Sequence, residues 1–294
     1  MSRTSNSAPT FGWQHASVIV LGLLVFVLLM LADKTNLKGE SEEPVASGTS
    51  EAAPGPAMGD KATELRAMLA PARPSEEIQA LEAQLAETTD PAEREELLQH
   101  IVSDFREDGQ YDQAAIFAGI LADNDPTPQN LIVAGALFRN ANTLPSNQGD
   151  STVYRRFSEE AIGYLERAQQ MAPDNEDAKI ELGLAYIESR QPGRSMQGIS
   201  KLVEVVDGNP GNTEALFYLG SFSMDTGQFE KAEQRYRQIL EADPGNLRAK
   251  YLLGIALDAQ GESAEFKLLM TEVAEQEQDP DLSAAAKSAL NRTK

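Results

Sequence analysis

Apolar positions fall into three regimes along the chain. Residues 16–32 carry no charge and are almost wholly Val, Leu, Ile, Phe and Met. Residues 39–60 are rich in Glu, Ser, Ala, Pro and Gly and hold hardly any large apolar side chain. From residue 75 onward, apolar residues recur at i, i+3, i+4 and i+7, the spacing of one helix face. Within that part Leu219-Gly220 recurs as Leu253-Gly254, Pro210 as Pro244 and Asn212 as Asn246, each pair 34 residues apart. A 34-residue period fits one helix-turn-helix unit. Such a unit cannot bury its apolar face alone, so it predicts stacked neighbours in a solenoid.

Residues 213–246 show the unit most clearly. Leu216, Leu219, Gly220 and Ser223 share one face of a first helix, which Gly227 ends because glycine takes the left-handed C-terminal conformation without a Cβ penalty. Ala232, Tyr236, Ile239 and Leu240 form the apolar stripe of a second helix, stopped by Asp243-Pro244-Gly245. Asn212 and Asn246 stand where the next helix wants an N-cap oxygen.

This order of a large residue, Leu-Gly, aromatic and small positions and a late proline resembles the tetratricopeptide repeat (TPR) family. About five units carry the pattern. The first, near residues 95–127, has Leu98, Ile101, Phe105, Gly109, Ala114, Ala118 and Pro126. The second has Leu131, Ala134-Gly135 and Phe138, then resumes at Ala161, Leu165, Ala168 and Pro173. The third has Leu182-Gly183, Tyr186, Gly198, Leu202 and Pro210, and the fifth Leu253-Gly254, Leu257, Gly261, Phe266 and Met270. The second unit holds roughly fourteen extra residues and the third about three. Residues 139–149 read as a polar loop and 151–170 as a lengthened second helix. The expected fold is an all-α TPR solenoid, residues 75–294, with residues 75–86 as an incomplete leading repeat and 280–291 as a capping helix.

Ahead of it, residues 1–15 form a short tail and 16–32 an apolar helix of about 25 Å, near the length of a membrane's hydrocarbon core. Phe11 and Trp13 sit where an interfacial aromatic anchor belongs. A cleaved signal peptide is the rival reading. It needs small residues at −3 and −1, and Ala32 at −1 places Met30 at −3, so an uncleaved transmembrane anchor is expected. Residues 33–74 then form a flexible acidic linker, with a short helix over 61–70. Positive charges are nearly balanced across the anchor, and the short tail places the repeats outside the cytoplasm, in a periplasm.

Charge and chemistry narrow the function. The chain has 46 Asp and Glu against 25 Lys and Arg, a net charge of −21, two His and no Cys. Such a surface repels phosphate backbones, which speaks against nucleic acid as a partner. His15 and His100 have no further His or Cys to complete a metal site, no phosphate loop or nucleophile elbow is present, and no cofactor is expected. The carboxylate runs are solvated helix faces. Nothing here points to an enzyme.

The resemblance implies that the first helix of each unit lines a groove for a partner segment. Carried onto this sequence, the groove positions are Ile180, Leu184 and Ile187, then Phe217, Ser221 and Met224, then Tyr251 and Ile255. Asp177, Glu188, Glu214, Asp225 and Asp258 would rim the strip, with Arg248 as a basic exception. The Lys and Asn clamp by which some family members hold a terminal carboxylate is missing. Its positions are Gln99 and Ser103, Ile132 and Ala136, Ile180 and Leu184. The expectation is a scaffold for an apolar or basic-apolar segment of another protein. Self-association through the same strip, or an accessory role in a membrane enzyme complex, are the alternatives.

Overall fold

Fourteen helices and no strand make up the described part of the chain, residues 59–69, 73–276 and 279–292 of a computed structural model. The expected tail, the anchor at 16–32 and most of the linker lie outside the described residues. No helix among the described residues is long and apolar enough to cross a membrane.

The helices are α1 (Asp60–Ala67), α2 (Glu76–Glu87), α3 (Pro91–Glu107), α4 (Tyr111–Asn124), α5 (Pro128–Ala141), α6 (Pro145–Gly149) and α7 (Ser151–Met171). They continue as α8 (Glu176–Glu188), α9 (Arg194–Gly208), α10 (Thr213–Asp225), α11 (Phe229–Ala242), α12 (Leu247–Gln260), α13 (Ser263–Ala274) and α14 (Pro280–Arg292). Five hairpins result: α3/α4, α5/α7, α8/α9, α10/α11 and α12/α13. Each packs on the next, and together they form a TPR-like solenoid.

Local chemistry sets the boundaries. Asp90, Asn175, Asn212 and Asn246 each accept a hydrogen bond from a first-turn amide at 2.8–3.0 Å, contributing about 1 kcal/mol apiece. Gly109, Gly227 and Gly261 follow first helices at φ of 71–83°, a region that would strain a Cβ-bearing residue. The apolar stripes then close against each other. Leu98, Phe105, Phe117, Phe138, Phe157 and Leu165 are fully buried in the leading hairpins, and Tyr236, Leu257, Phe266 and Met270 in the last two. Each such side chain contributes roughly 1.5–3 kcal/mol by leaving water. Helix α14 lays Ala286 and Ala289 over the end of α13, and the Ser283 hydroxyl donates to the Ala274 carbonyl at 2.7 Å.

Two expectations change. The polar loop at 139–149 is shorter than its composition suggests. Helix α5 runs on to Ala141, whose carbonyl accepts from the Leu144 N–H at 3.2 Å and from the buried Asn147 amide at 2.9 Å. The second correction falls on the linker, 33–74. Its short helix forms as α1 but is docked, with Ala62 and Leu65 at 4% and 1% exposure inside the leading core cluster. An i, i+3 apolar pair is enough to seat it once Lys61 and Arg66 find partners on the solenoid.

Candidate partner-binding face

The first helices α8, α10 and α12 carry the predicted groove positions, and their packing divides those positions in two. Ile180 and Leu184 are 1% and 4% exposed, closed in by Leu202 and Val205 of α9 and by Ala215 and Leu219 of α10. They hold the third hairpin to the fourth, and the expectation that they lie open to a partner is corrected. The small Ala215 lets α10 approach close enough to cover them.

The remaining positions stay half-buried. Ile187 abuts that cluster, while Phe217, Met224, Tyr251 and Ile255 pack their inner edges on the cluster of the last hairpins. Ser221 is half-buried on α10, one residue beyond Gly220, where the Tyr236 ring presses in from α11. Each of these side chains keeps part of its surface in solvent. Of the expected rim, Asp177, Glu214, Asp225, Arg248 and Asp258 are exposed and Glu188 is half-buried.

Beside this strip stands a charged group that sequence reasoning missed in part. The Arg139 guanidinium on α5 donates to Glu181 at 2.9 Å and to Glu188 at 3.1 Å, both on α8. Tyr218 and Glu214 follow on α10. Burial raises the Glu188 carboxyl above its ordinary range, with Arg139 pulling the other way. Burial, then the charges of Glu181 and Asp177, raise Glu214 as well. Three carboxylates, Glu181, Glu188 and Glu214, thus feel one guanidinium, and Asp177 adds its charge beside Glu214. The excess negative charge sits next to apolar surface. Helical spacing was the available signal: Arg139, Glu181 and Tyr218 fall on the same inner edge as the predicted positions of their helices.

One groove side chain already carries a cation. The Arg248 guanidinium lies 4.1 Å from the centroid of the Phe217 ring, and Tyr218 meets Phe217 edge-on at 5.7 Å. These residues, with Glu214 and Asn246, line a recess of about 340 Å³ between the fourth and fifth hairpins. Chemically the face offers aromatic and aliphatic edges flanked by an excess of carboxylate over cationic charge. Among the described residues, no group of three or more His, Asp or Glu is placed to hold a metal ion.

Comparison with known proteins agrees with the hairpins. Residues 223–290 match the tetratricopeptide repeat family. Among solved structures, the thermophilic TPR protein TTC0263 of Thermus thermophilus superposes with a TM-score of 0.51 at 17% identity, over 67% of this chain and 98% of that one. A crystal structure of MamA matches at 20% identity over 60% of this chain and 95% of that one, with a TM-score of 0.46. YrrB, described as a TPR protein with an unusual peptide-binding site, matches at 19% identity over 72% and 99%, with a TM-score of 0.43. Identities this low speak to fold alone. No curated protein sequence matches the chain.

Proposed function

We propose that this chain is a non-catalytic, membrane-tethered scaffold that captures a basic-apolar segment of another protein along the first-helix face of its TPR solenoid. The observation that carries the reading is an adjacency on α10: Phe217, which packs with Met224, Tyr251 and Ile255 as half-buried edges, shares a recess with the carboxylate of Glu214, and Glu181 and Asp177 act on that carboxylate. Apolar edges held partly in water gain by being covered, and a few aromatic anchors carry most of the energy of such contacts. The surrounding negative charge speeds encounter with a cationic partner and selects against an acidic one.

The tether rests on the uncharged run at 16–32 and the polar stretch after it. On that reading the solenoid stands on the periplasmic side of the cell membrane and serves assembly or secretion of envelope proteins. A reporter enzyme fused at the C-terminus, active on one side of the membrane only, tests the orientation.

The binding test uses synthetic peptides alternating Arg or Lys with Leu or Phe, against the same peptides with Glu at the charged positions. Fluorescence anisotropy should show saturable binding of the basic set, weakening as salt rises. Replacing Phe217 and Tyr251 together by Ala should weaken it about tenfold or more. Equal binding by the parent and the double variant would remove this face from consideration.

A further inference from the structure

A second binding surface lies on the other helices of the solenoid, between α4 and α7, the second helices of the first two hairpins. Helix α1 sits there. Its Lys61 ammonium reaches Asp123 at 2.9 Å, Glu160 at 3.1 Å and the Tyr164 hydroxyl at 2.6 Å. The same ammonium lies 4.5 Å from the centre of the Tyr164 ring. Four residues on, Leu65 fills an apolar slot floored by Ile116 and Ile120. Arg66 then donates to Gln113 at 2.9 Å and to Glu82 at 3.2 Å.

This is recognition of a short helix, read as a cation, a leucine one turn later and a second cation beside it, with Glu64 4.0 Å from Arg156 at the rim. Three properties mark the occupant as separable from its site. An eight-residue helix is far below the length at which a helix is stable in water, so α1 exists only while docked. Within the helix its seat depends on one large apolar side chain, Leu65, with Met68 and Leu69 packing partly buried at its end, and Ala62 is small beside an open space. This partly open space of about 90 Å³ is lined by Ala62, Leu65, Gly119, Phe138 and Tyr164 among others. The slot itself belongs to the repeat core: Tyr164 is held from the solenoid side by Asp123 at 2.9 Å and by the Gly119 carbonyl at 3.2 Å.

We infer that the groove between α4 and α7 is a docking site for a short helix that carries a cation one turn ahead of a leucine, and that this chain's own α1 occupies it as a displaceable ligand in cis. The site is independent of the first-helix face and stands or falls apart from it. A competing helix with the same cation-to-leucine spacing and a larger residue at the Ala62 position would fill the space and bind better. Displacement would free α1 together with the segment ahead of it.

The test uses the full chain and a fluorescein-labelled peptide of residues 58–69, in its own sequence and with Ala62→Leu. Leu65→Glu in the chain should vacate the groove. That variant is expected to bind the labelled peptide roughly tenfold or more tightly than the parent, whose site is already filled. Adding Asp123→Asn and Glu160→Gln should abolish the gain, and the Ala62→Leu peptide should bind better than its parent. Hydrogen exchange on the unaltered chain gives a reading that no substitution can spoil. Amides of 61–67 should exchange well before those of α4, and sooner still with the Ala62→Leu peptide present. Absence of saturable binding to the folded Leu65→Glu chain, equal binding to both chains, or exchange in α1 as slow as in α4 would each overturn the inference.

Discussion

Gly183 on α8 and Gly198 on α9 meet backbone to backbone. A Cβ built on Gly198 would stand 2.3 Å from the Gly183 carbonyl oxygen, and one on Gly183 would stand 2.9 Å from that of Gly198. Nothing flexible separates the two helices there. In the fifth hairpin the equivalent space above Gly254 is filled by the tip of Met270, whose Cε would lie 2.3 Å from an added Cβ.

Alanine at these two positions should therefore act differently although the bare distances agree. Gly198→Ala must push two backbones apart and should destabilise by about 2 kcal/mol, within the span for overpacked cores. Gly254→Ala only asks a methionine to change rotamer. It also gains up to about 1 kcal/mol of helix propensity, so the net change should be near zero. Urea unfolding of both variants checks this; equal destabilisation would mean that the third hairpin yields as readily as the fifth.

Arg139 ties the second hairpin to the third. Its side chain is 12% exposed and that of Glu181 18%, so removing the guanidinium strands a carboxylate with little water around it. Arg139→Ala should cost about 3 kcal/mol, at the low end for a broken buried pair. Glu188→Gln should cost much less, because the Glu188 side chain is 41% exposed and its amide oxygen still accepts from Arg139. Thermal melts of the two variants separate these outcomes; similar losses would mean that the pairing adds little beyond packing.

Much of this architecture was legible in residues 90–292 because each signal acts locally. Asp90, Asn212 and Asn246 bond to amides three residues on, and Gly227 and Gly261 end first helices at positive φ. The openness of the groove was not local. Ile180 and Leu184 have the spacing of Phe217 and Ser221, yet they are covered because Ala215 and Leu219 arrive from another hairpin. The docking of helix α1 was hidden for a related reason: the sequence predicts the short helix, but within a stretch of linker composition, and its seat is made by Asp123, Glu160 and Tyr164, far along the chain. The Arg139 pairings with Glu181 and Glu188 likewise needed the angle between hairpins.

Acidity should report on the carboxylate group. Glu214 is raised above its ordinary value near 4.5 by burial and then by Glu181 and Asp177. Between that ordinary value and the raised one, the folded chain binds more protons than the unfolded chain. Its contribution to stability therefore falls as pH rises through this window and recovers as pH drops. Glu214→Gln should be more stable than the parent at neutral pH, with the gap closing toward pH 4.5. The gap will be modest because solvent still screens this side chain. Melting temperatures across the window test it, and a gap that does not vary with pH would contradict the assignment.

Arg248 and Phe217 make the sharpest test of the binding face. The guanidinium over the ring occupies the surface that a partner's cation would use, so the chain competes with its own ligand. An exposed cation–π contact contributes about 0.5–1 kcal/mol, which corresponds to roughly two- to fivefold in affinity. Arg248→Gln should therefore tighten binding of an Arg-Leu peptide by about that factor, and removal of a positive charge from an acidic face works in the same direction. Phe217→Ala should weaken the same peptide, and in the Phe217→Ala background Arg248→Gln should give a smaller gain, that of the charge alone. A peptide titration of the four chains reads the coupling between the two positions. If Arg248→Gln helps equally with and without the ring, the gain is charge alone and the aromatic face plays no part.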